Sequence, residues 1–118
     1  LNSDFTTLTE VLKAGGFSTS AFVASFTVDS RFGVDQGFDV FDDDFQIGGV
    51  SKNFTSERKA EEVYAAFAEW LEGNRIEKFF SWVHFYDPHV PYNPPSPFKE
   101  KYAERPYDGE IAYTDHYV

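Results

Sequence analysis

The segment FFSWVHFYDPHVPYNPP, residues 79–95, begins as a nearly continuous apolar run and ends as a proline-rich stretch. Continuous apolar runs are typical of parallel strands that are covered on both faces, so the segment predicts a buried strand over residues 76–86. Asp87 and His89 follow at once. Ligands of open α/β sheets bind beyond the carboxyl ends of the strands. The pattern therefore predicts a site here, on a backbone whose direction the prolines hold fixed.

The sequence before this strand also alternates between helix and strand patterns. A capping box at residues 7–10 predicts a short helix over residues 7–14, which a Gly-Gly pair ends. Residues 17–26 are small, β-branched and aromatic, and predict a strand buried on both faces. Residues 27–55 are rich in glycine, aspartate and phenylalanine. They predict a long ordered loop, with a helical turn, that its phenylalanines attach to the body of the domain.

The clearest helix pattern covers residues 56–72, SERKAEEVYAAFAEWLE. Thr55 or Ser56 is the expected N-cap, and Gly73 is expected to end the helix. The predicted apolar stripe consists of Ala60, Val63, Tyr64, Phe67 and Leu71.

A last helix is expected to begin near Pro106, with Ile111 and Asp115 on one of its faces. The predicted order is then helix, strand, long loop, helix, strand, proline-rich loop and helix, in one domain of 118 residues. This alternation favours an α/β protein with a mostly parallel sheet flanked by helices.

Composition limits the classes of function. The net charge of −10 provides no general basic surface for a nucleic-acid backbone. The absence of cysteine excludes disulfides and thiolate chemistry. No apolar stretch reaches the roughly 20 residues of a membrane-spanning helix. The chain begins at Leu1, contains no methionine and stops within the predicted last helix, so we expect it to be a fragment of a longer protein.

The three histidines differ in their predicted surroundings. His89 is the candidate site residue, although a structural turn capped by Asp87 explains the same Asp-Pro pattern. His84 lies inside the predicted strand and is expected to belong to the core or to support the site. His116 lies near the end of the chain, and nothing in the pattern assigns it to a site.

Three further patterns have simple structural interpretations. The aspartates at residues 42–44 lack the spacing of an EF-hand loop and predict a solvated acidic turn rather than a cation site. The glycosylation sequon at residues 53–55 is of a kind that occurs often by chance. Three tyrosines fit either a platform for a sugar or another flat ligand, or the packing of the proline-rich loop: Tyr92, Tyr102 and Tyr107.

Several segments together resemble one family. They are TLTEVLKAGGFSTSAFVASF (7–26), SRFGVDQGFDVFDDDF (30–45), and FFSWVHFYDPHVPYNPPSPF (79–98) with PYDGEIAYTD (106–115). The chain resembles the middle of the catalytic domain of a bacterial sulfatase-like protein, in the sulfatase and alkaline-phosphatase superfamily. The resemblance runs through nearly all 118 residues, and the last pair of segments is its most specific part.

The resemblance implies that residues 1–118 are one piece of an alkaline-phosphatase-like catalytic domain in a metal-dependent ester hydrolase. In that family a nucleophile attacks the sulfur or phosphorus of a small-molecule sulfate or phosphate ester. A divalent metal stabilises the charge: calcium in sulfatases, zinc or manganese in phosphatase-like relatives. By motif, His89 is the histidine that contacts the anion's oxygens or assists the leaving group. Asp87 and Tyr92 are the neighbouring candidates for substrate binding.

The chain departs from the family pattern at residues 24 and 26. Many sulfatases have a Lys-x-His pair where this chain has Ala24 and Phe26. The family's nucleophile and metal ligands are expected outside the chain, so we expect this fragment to bind no metal and to be inactive in isolation.

Other functions stay open at this point. They are a phosphoesterase or phosphotransferase-like relative, a degenerate relative without activity, and a non-catalytic module that binds carbohydrate or protein. The family is often exported, which indicates a periplasmic, secreted or membrane-attached location. A partial sheet leaves open edges, so oligomers are also expected.

Overall fold

A computed structural model of the chain describes residues 4–44, 57–74 and 77–118. Its centre is a three-stranded sheet in the order β2-β1-β3, formed by β1 (Ser18–Val23), β2 (Val40–Asp42) and β3 (Phe79–His84). Both neighbours pair with β1 in parallel. The predicted parallel α/β fold is therefore confirmed.

Four helices accompany these strands in the described residues: α1 (Leu8–Ala14), α2 (Ala60–Gly73), α3 (Phe98–Lys101) and α4 (Pro106–Asp115). The capping box of α1 is present as predicted. The Glu10 amide donates to Thr7 Oγ1 at 3.2 Å, and the Thr7 amide donates to Glu10 Oε2 at 2.8 Å. Gly16, with φ of 80°, supplies the left-handed residue that follows the helix.

Strand β1 is buried on both faces, as its sequence predicts. On one face Ala21 and Val23 pack against partly buried rings, among them Phe38 and Trp82. On the other face Phe22 lies against α2, with its ring centroid 5.8 Å from that of Phe67. The sheet is thus the middle layer of the core, and its carboxyl edge carries the loops described below.

The predicted elements need correction in several places. The buried strand expected over 76–86 is β3, Phe79–His84, and it is only partly buried, with Phe79 exposed. Helix α3 lies where only a proline-rich loop was expected.

The strand expected over 17–26 ends at Val23, and a 3-10 turn follows at Phe26–Val28. The loop expected over 27–55 contains β2, which was not predicted. Its phenylalanines do attach it to the core, since the Phe38 ring lies 6.4 Å from that of Trp82.

Helix α2 begins later than residue 56, because the chain before it is extended. Glu57 forms an antiparallel bridge with Ser25, and the Arg58 amide donates to the Ala24 carbonyl at 2.9 Å. Lys59 is therefore the N-cap, and the expected caps at residues 55 and 56 lie outside the described residues. The buried stripe also differs from the prediction: it includes Trp70, whereas Tyr64 and Leu71 are exposed.

Helix α4 begins at Pro106 as expected, but its buried face was not predicted. Ile111 and Asp115 share an exposed side of the helix. The buried residues are Gly109, Glu110 and Tyr113.

A substitution at Gly37 tests the close contact between α1 and the loop that follows β1. Its φ is 92°, and a Cβ there would lie 2.8 Å from the Glu10 amide nitrogen. We expect Gly37→Ala to lower the free energy of unfolding by about 2 kcal/mol, from backbone strain and from this clash. Urea unfolding would measure the change. Gly73→Ala is the matched control, because within the described residues no atom outside its own helix and chain neighbours lies within 4 Å of a Cβ there. Equal effects of the two substitutions would contradict this account.

Candidate functional site

The carboxyl ends of β1 and β3 meet at His84, the last residue of β3. Its Nδ1 accepts a hydrogen bond of 3.4 Å from the Ala24 amide, and its ring packs edge-on against Trp82 at 5.9 Å. Burial lowers the pKa of His84 below its ordinary value of 6.5, because burial disfavours the charged ring. His84 is thus a partly buried link between two strand ends rather than a core residue.

The proline-rich loop after β3 is held by a single carboxylate on α4. Glu110 is 1% exposed. Its Oε2 accepts from the His89 amide at 3.0 Å, and its Oε1 accepts from the Asn93 amide at 2.7 Å. Hydrogen bonds to an ionised acceptor are among the stronger ones in proteins. The two bonds fix the backbone on both sides of residues 90–92.

Gly109 allows the helix to come this close to the loop. A Cβ at this position would lie 2.8 Å from Pro94 Cγ and 3.1 Å from Tyr102 Cβ. Any side chain here would push α4 away from the loop, and the bonds of Glu110 would lengthen.

His89 itself is exposed at this edge of the sheet. Its Nε2 lies 2.8 Å from the Tyr86 hydroxyl, and the two rings stack with centroids 4.2 Å apart. Among the described residues, no group forms a hydrogen bond with its Nδ1. The ring is therefore held in one orientation while one nitrogen can contact a ligand.

Asp87, the second candidate, is turned into the protein. Its side chain is 9% exposed, and Oδ1 lies 3.4 Å from Lys59 Nζ. Its Oδ2 is buried and has no hydrogen-bond partner in the described part of the chain. Thr114 Oγ1 donates to the Asp87 carbonyl at 3.4 Å, which adds a further link between α4 and the loop.

Tyr92, the third candidate, lies on the far side of the loop. Its ring packs edge-on against Tyr107 at 5.2 Å. Beside it is an open cavity of about 310 Å³, across which Lys99 Nζ donates to Asn93 Oδ1 at 3.2 Å. The cavity is lined by Tyr92, Asn93, Pro94, Lys99, Tyr102, Ala103 and Pro106.

Asp42 and Asp43 are tied into the fold rather than belonging to a solvated turn, whereas Asp44 is exposed as expected. Asp42 accepts from the buried Arg58 at 3.0 Å, and Arg58 also donates from Nε to the Val23 carbonyl at 2.9 Å. Asp43 accepts from the Ser30 amide at 2.9 Å. No cluster of three metal-ligating side chains occurs within residues 4–44, 57–74 and 77–118. The sequon at residues 53–55 lies outside these ranges.

Sequence reasoning missed two residues of this edge, Glu110 and Lys59. The spacing of Glu110 and Tyr113 places both on one helix face, which was a usable signal. His116, by contrast, has no contact with the loop near His89 among the contacts described; its ring packs against Phe98 and Tyr117.

The fold around the parallel sheet has a counterpart in a solved structure from the alkaline phosphatase superfamily. A solved structure of a protein in that superfamily from Vibrio parahaemolyticus is similar, with a TM-score of 0.64 and 22% sequence identity. The similarity covers 96% of this chain and 29% of the other chain, so this chain spans less than a third of its neighbour's length.

The Sulfatase family model matches residues 1–118, and the chain therefore belongs to the Sulfatase family. No curated protein shows significant similarity to it. In the described residues, none of the helices has the length and apolar character needed to cross a membrane.

Replacing Glu110 tests its control of the loop. We expect Glu110→Ala to lower the free energy of unfolding by about 3 kcal/mol, because two loop amides lose their acceptor. Glu110→Gln keeps one acceptor oxygen and should lose less. Hydrogen exchange at the His89 and Asn93 amides should accelerate in both variants. Glu69→Ala, on the exposed side of α2, is the control. Unchanged protection of the two amides in Glu110→Ala would refute the anchoring role.

The lowered pKa of His84 predicts a dependence of stability on pH. Above pH 6.5 the ring is neutral in both the folded and the unfolded chain. As the pH falls below 6.5, the unfolded chain gains a proton that the buried ring resists, so stability decreases. Chemical denaturation between pH 7 and about pH 5 should show a smaller decrease in His84→Gln than in the wild type. Identical slopes would contradict the assignment.

Proposed function

We propose that the chain supplies the anion-contacting loop of a metal-dependent sulfuric-ester hydrolase. Membership of the Sulfatase family supports this proposal. We also propose that the nucleophile and the metal ligands come from other regions of a longer protein. The similarity covers only 29% of the neighbouring structure, which supports this second proposal.

The observation that carries the proposal is the way His89 is held. Its backbone is fixed by Glu110 and its ring by Tyr86, yet the side chain is exposed at the carboxyl edge of the sheet. A preorganised imidazole can donate a hydrogen bond to the oxygen of a sulfate or phosphate group, or a proton to the leaving oxygen. We assign His89 this contact with the anion.

The divalent metal that the family implies would polarise an oxygen of the ester when bound. The aspartates at residues 42–44 do not fit that task, because Arg58 and the Ser30 amide already engage Asp42 and Asp43. We assign to the described residues the binding and orientation of the anion, and we expect the metal ligands in other parts of the protein.

Two alternative functions have specific support. Ala24 and Phe26 are buried and uncharged, which favours a phosphoesterase or phosphotransferase-like relative over a sulfatase with a Lys-x-His pair. The cavity beside Tyr92 and Tyr102 favours a carbohydrate-binding role, since sugars stack on exposed aromatic rings.

The test is an assay of the full-length protein with 4-nitrophenyl sulfate and 4-nitrophenyl phosphate, with and without EDTA. We expect metal-dependent turnover of one ester, and a fall in kcat of about 100-fold or more in His89→Ala. His116→Ala is the matched control, because this exposed histidine lies on the end of α4.

Each outcome of this assay separates the functions. Turnover of the sulfate ester identifies a sulfatase, and turnover of the phosphate ester identifies the phosphoesterase alternative. Full activity in His89→Ala would remove His89 from the site. A folded, metal-loaded protein that hydrolyses neither ester would refute the hydrolase.

A further inference from the structure

We propose that Lys59 is a second group that contacts the anion at this edge of the sheet, beside His89, and that Asp87 is its positioning residue. This inference rests on the proposed function, because it adds a residue to the same site. It also gives Asp87 a different role from direct substrate binding.

Lys59 is carried to the carboxyl edge by the extended segment before α2. Arg58 is fixed to the end of β1, because its amide donates a hydrogen bond of 2.9 Å to the Ala24 carbonyl. Lys59 follows immediately, and its Nζ reaches Asp87 Oδ1, beyond the end of β3, at 3.4 Å. The ammonium group therefore lies between the ends of two parallel strands, where open α/β sheets bind ligands.

Burial decides which member of the pair can meet a ligand. The Asp87 side chain is 9% exposed, whereas the Lys59 side chain is 43% exposed. A buried carboxylate requires a cation or hydrogen-bond donors, and Lys59 supplies one of them. An ammonium group has three N–H donors, so Lys59 can keep its bond to Asp87 and still donate to an anion.

The neighbouring charges fit this assignment. Arg58, the adjacent cation, is buried and already bonded to Asp42 and to the Val23 carbonyl. Glu62, in the first turn of α2, is engaged by the Lys59 amide at 2.7 Å. Lys59 is therefore the cation of this segment that remains accessible to a ligand.

His89 lies close along the chain to Asp87, the partner of this ammonium group. It is two residues beyond Asp87, so the two Cα atoms are at most about 7 Å apart. A tetrahedral dianion at the edge of the sheet could therefore contact the imidazole on one side and the ammonium group on the other. The chemical class of the ligand is a sulfate or phosphate group, recognised by charge and by N–H donors.

The test measures the binding of inorganic sulfate and inorganic phosphate to the full-length protein by calorimetry, together with kcat and KM for the two aryl esters. We expect Lys59→Gln to raise the Kd of the bound anion, and the KM, about tenfold or more. Lys59→Arg keeps the charge and should restore most of the affinity. Asp87→Asn should raise the Kd less than Lys59→Gln, because the ammonium group remains but loses its position.

Lys13→Gln is the matched control. Lys13 is about as exposed as Lys59 and also pairs with an aspartate, Asp39, at 2.6 Å, but at the amino edge of the sheet. We expect it to leave the Kd and the KM unchanged. If Lys59→Gln fails to fold, the double variant Lys59→Gln/Asp87→Asn removes the buried charge as well. Weak anion binding by this folded double variant supports the proposal, and wild-type binding by it overturns the proposal.

The results also distinguish this inference from the proposed function. Ester hydrolysis with unchanged Kd and KM in a folded Lys59→Gln protein would overturn the role of Lys59 alone. Anion binding that depends on Lys59, without turnover of either ester, would overturn the hydrolase and support the anion site. A wild-type protein that neither binds the anions nor hydrolyses the esters would overturn both.

Discussion

The buried carboxylate of Glu110 links the last helix to the proline-rich loop, and the geometry of the candidate site depends on it. A carboxylate that is 1% exposed must find donors inside the protein. A proline-rich backbone has few N–H donors, and Glu110 accepts hydrogen bonds from the amides of His89 and Asn93. Gly109 permits this approach, because any Cβ there would collide with Pro94. One helix thus fixes both ends of the segment that begins with the candidate histidine.

The segment before α2 organises the rest of the carboxyl edge. Arg58 points inward and joins the ends of β1 and β2 through the Val23 carbonyl and Asp42. Lys59 reaches the other way, to Asp87 beyond β3. Two consecutive cations therefore connect three strand ends, although the protein as a whole carries a net charge of −10. The buried member stabilises the fold, and the exposed member is free to meet an anion in the arrangement we propose.

Periodicity and capping predicted much of this fold, because those signals are local. Patterns of neighbouring residues predicted three features: the capping box of Thr7 and Glu10, the burial of β1 and the loop at the end of β3. Strand β2 was not predicted because three residues are too few to show a hydrophobic alternation, and because its pairing with β1 is a long-range contact. Lys59 and Glu110 were missed for a related reason. Helix ends and helix faces are rich in lysine and glutamate. The spacing of Glu110 and Tyr113 indicates a shared face, but tertiary contacts are needed to show that Lys59 and Glu110 face the loop.

A crystal structure of the full-length protein with inorganic sulfate or phosphate bound would test the central claim most directly. The claim is that the loop held by Glu110 presents His89 to an anion at the carboxyl edge of the sheet. The account predicts an anion oxygen within hydrogen-bond distance of the His89 ring, with Glu110 still bonded to the amides of His89 and Asn93. An anion bound elsewhere, with His89 in contact with protein groups alone, would contradict it.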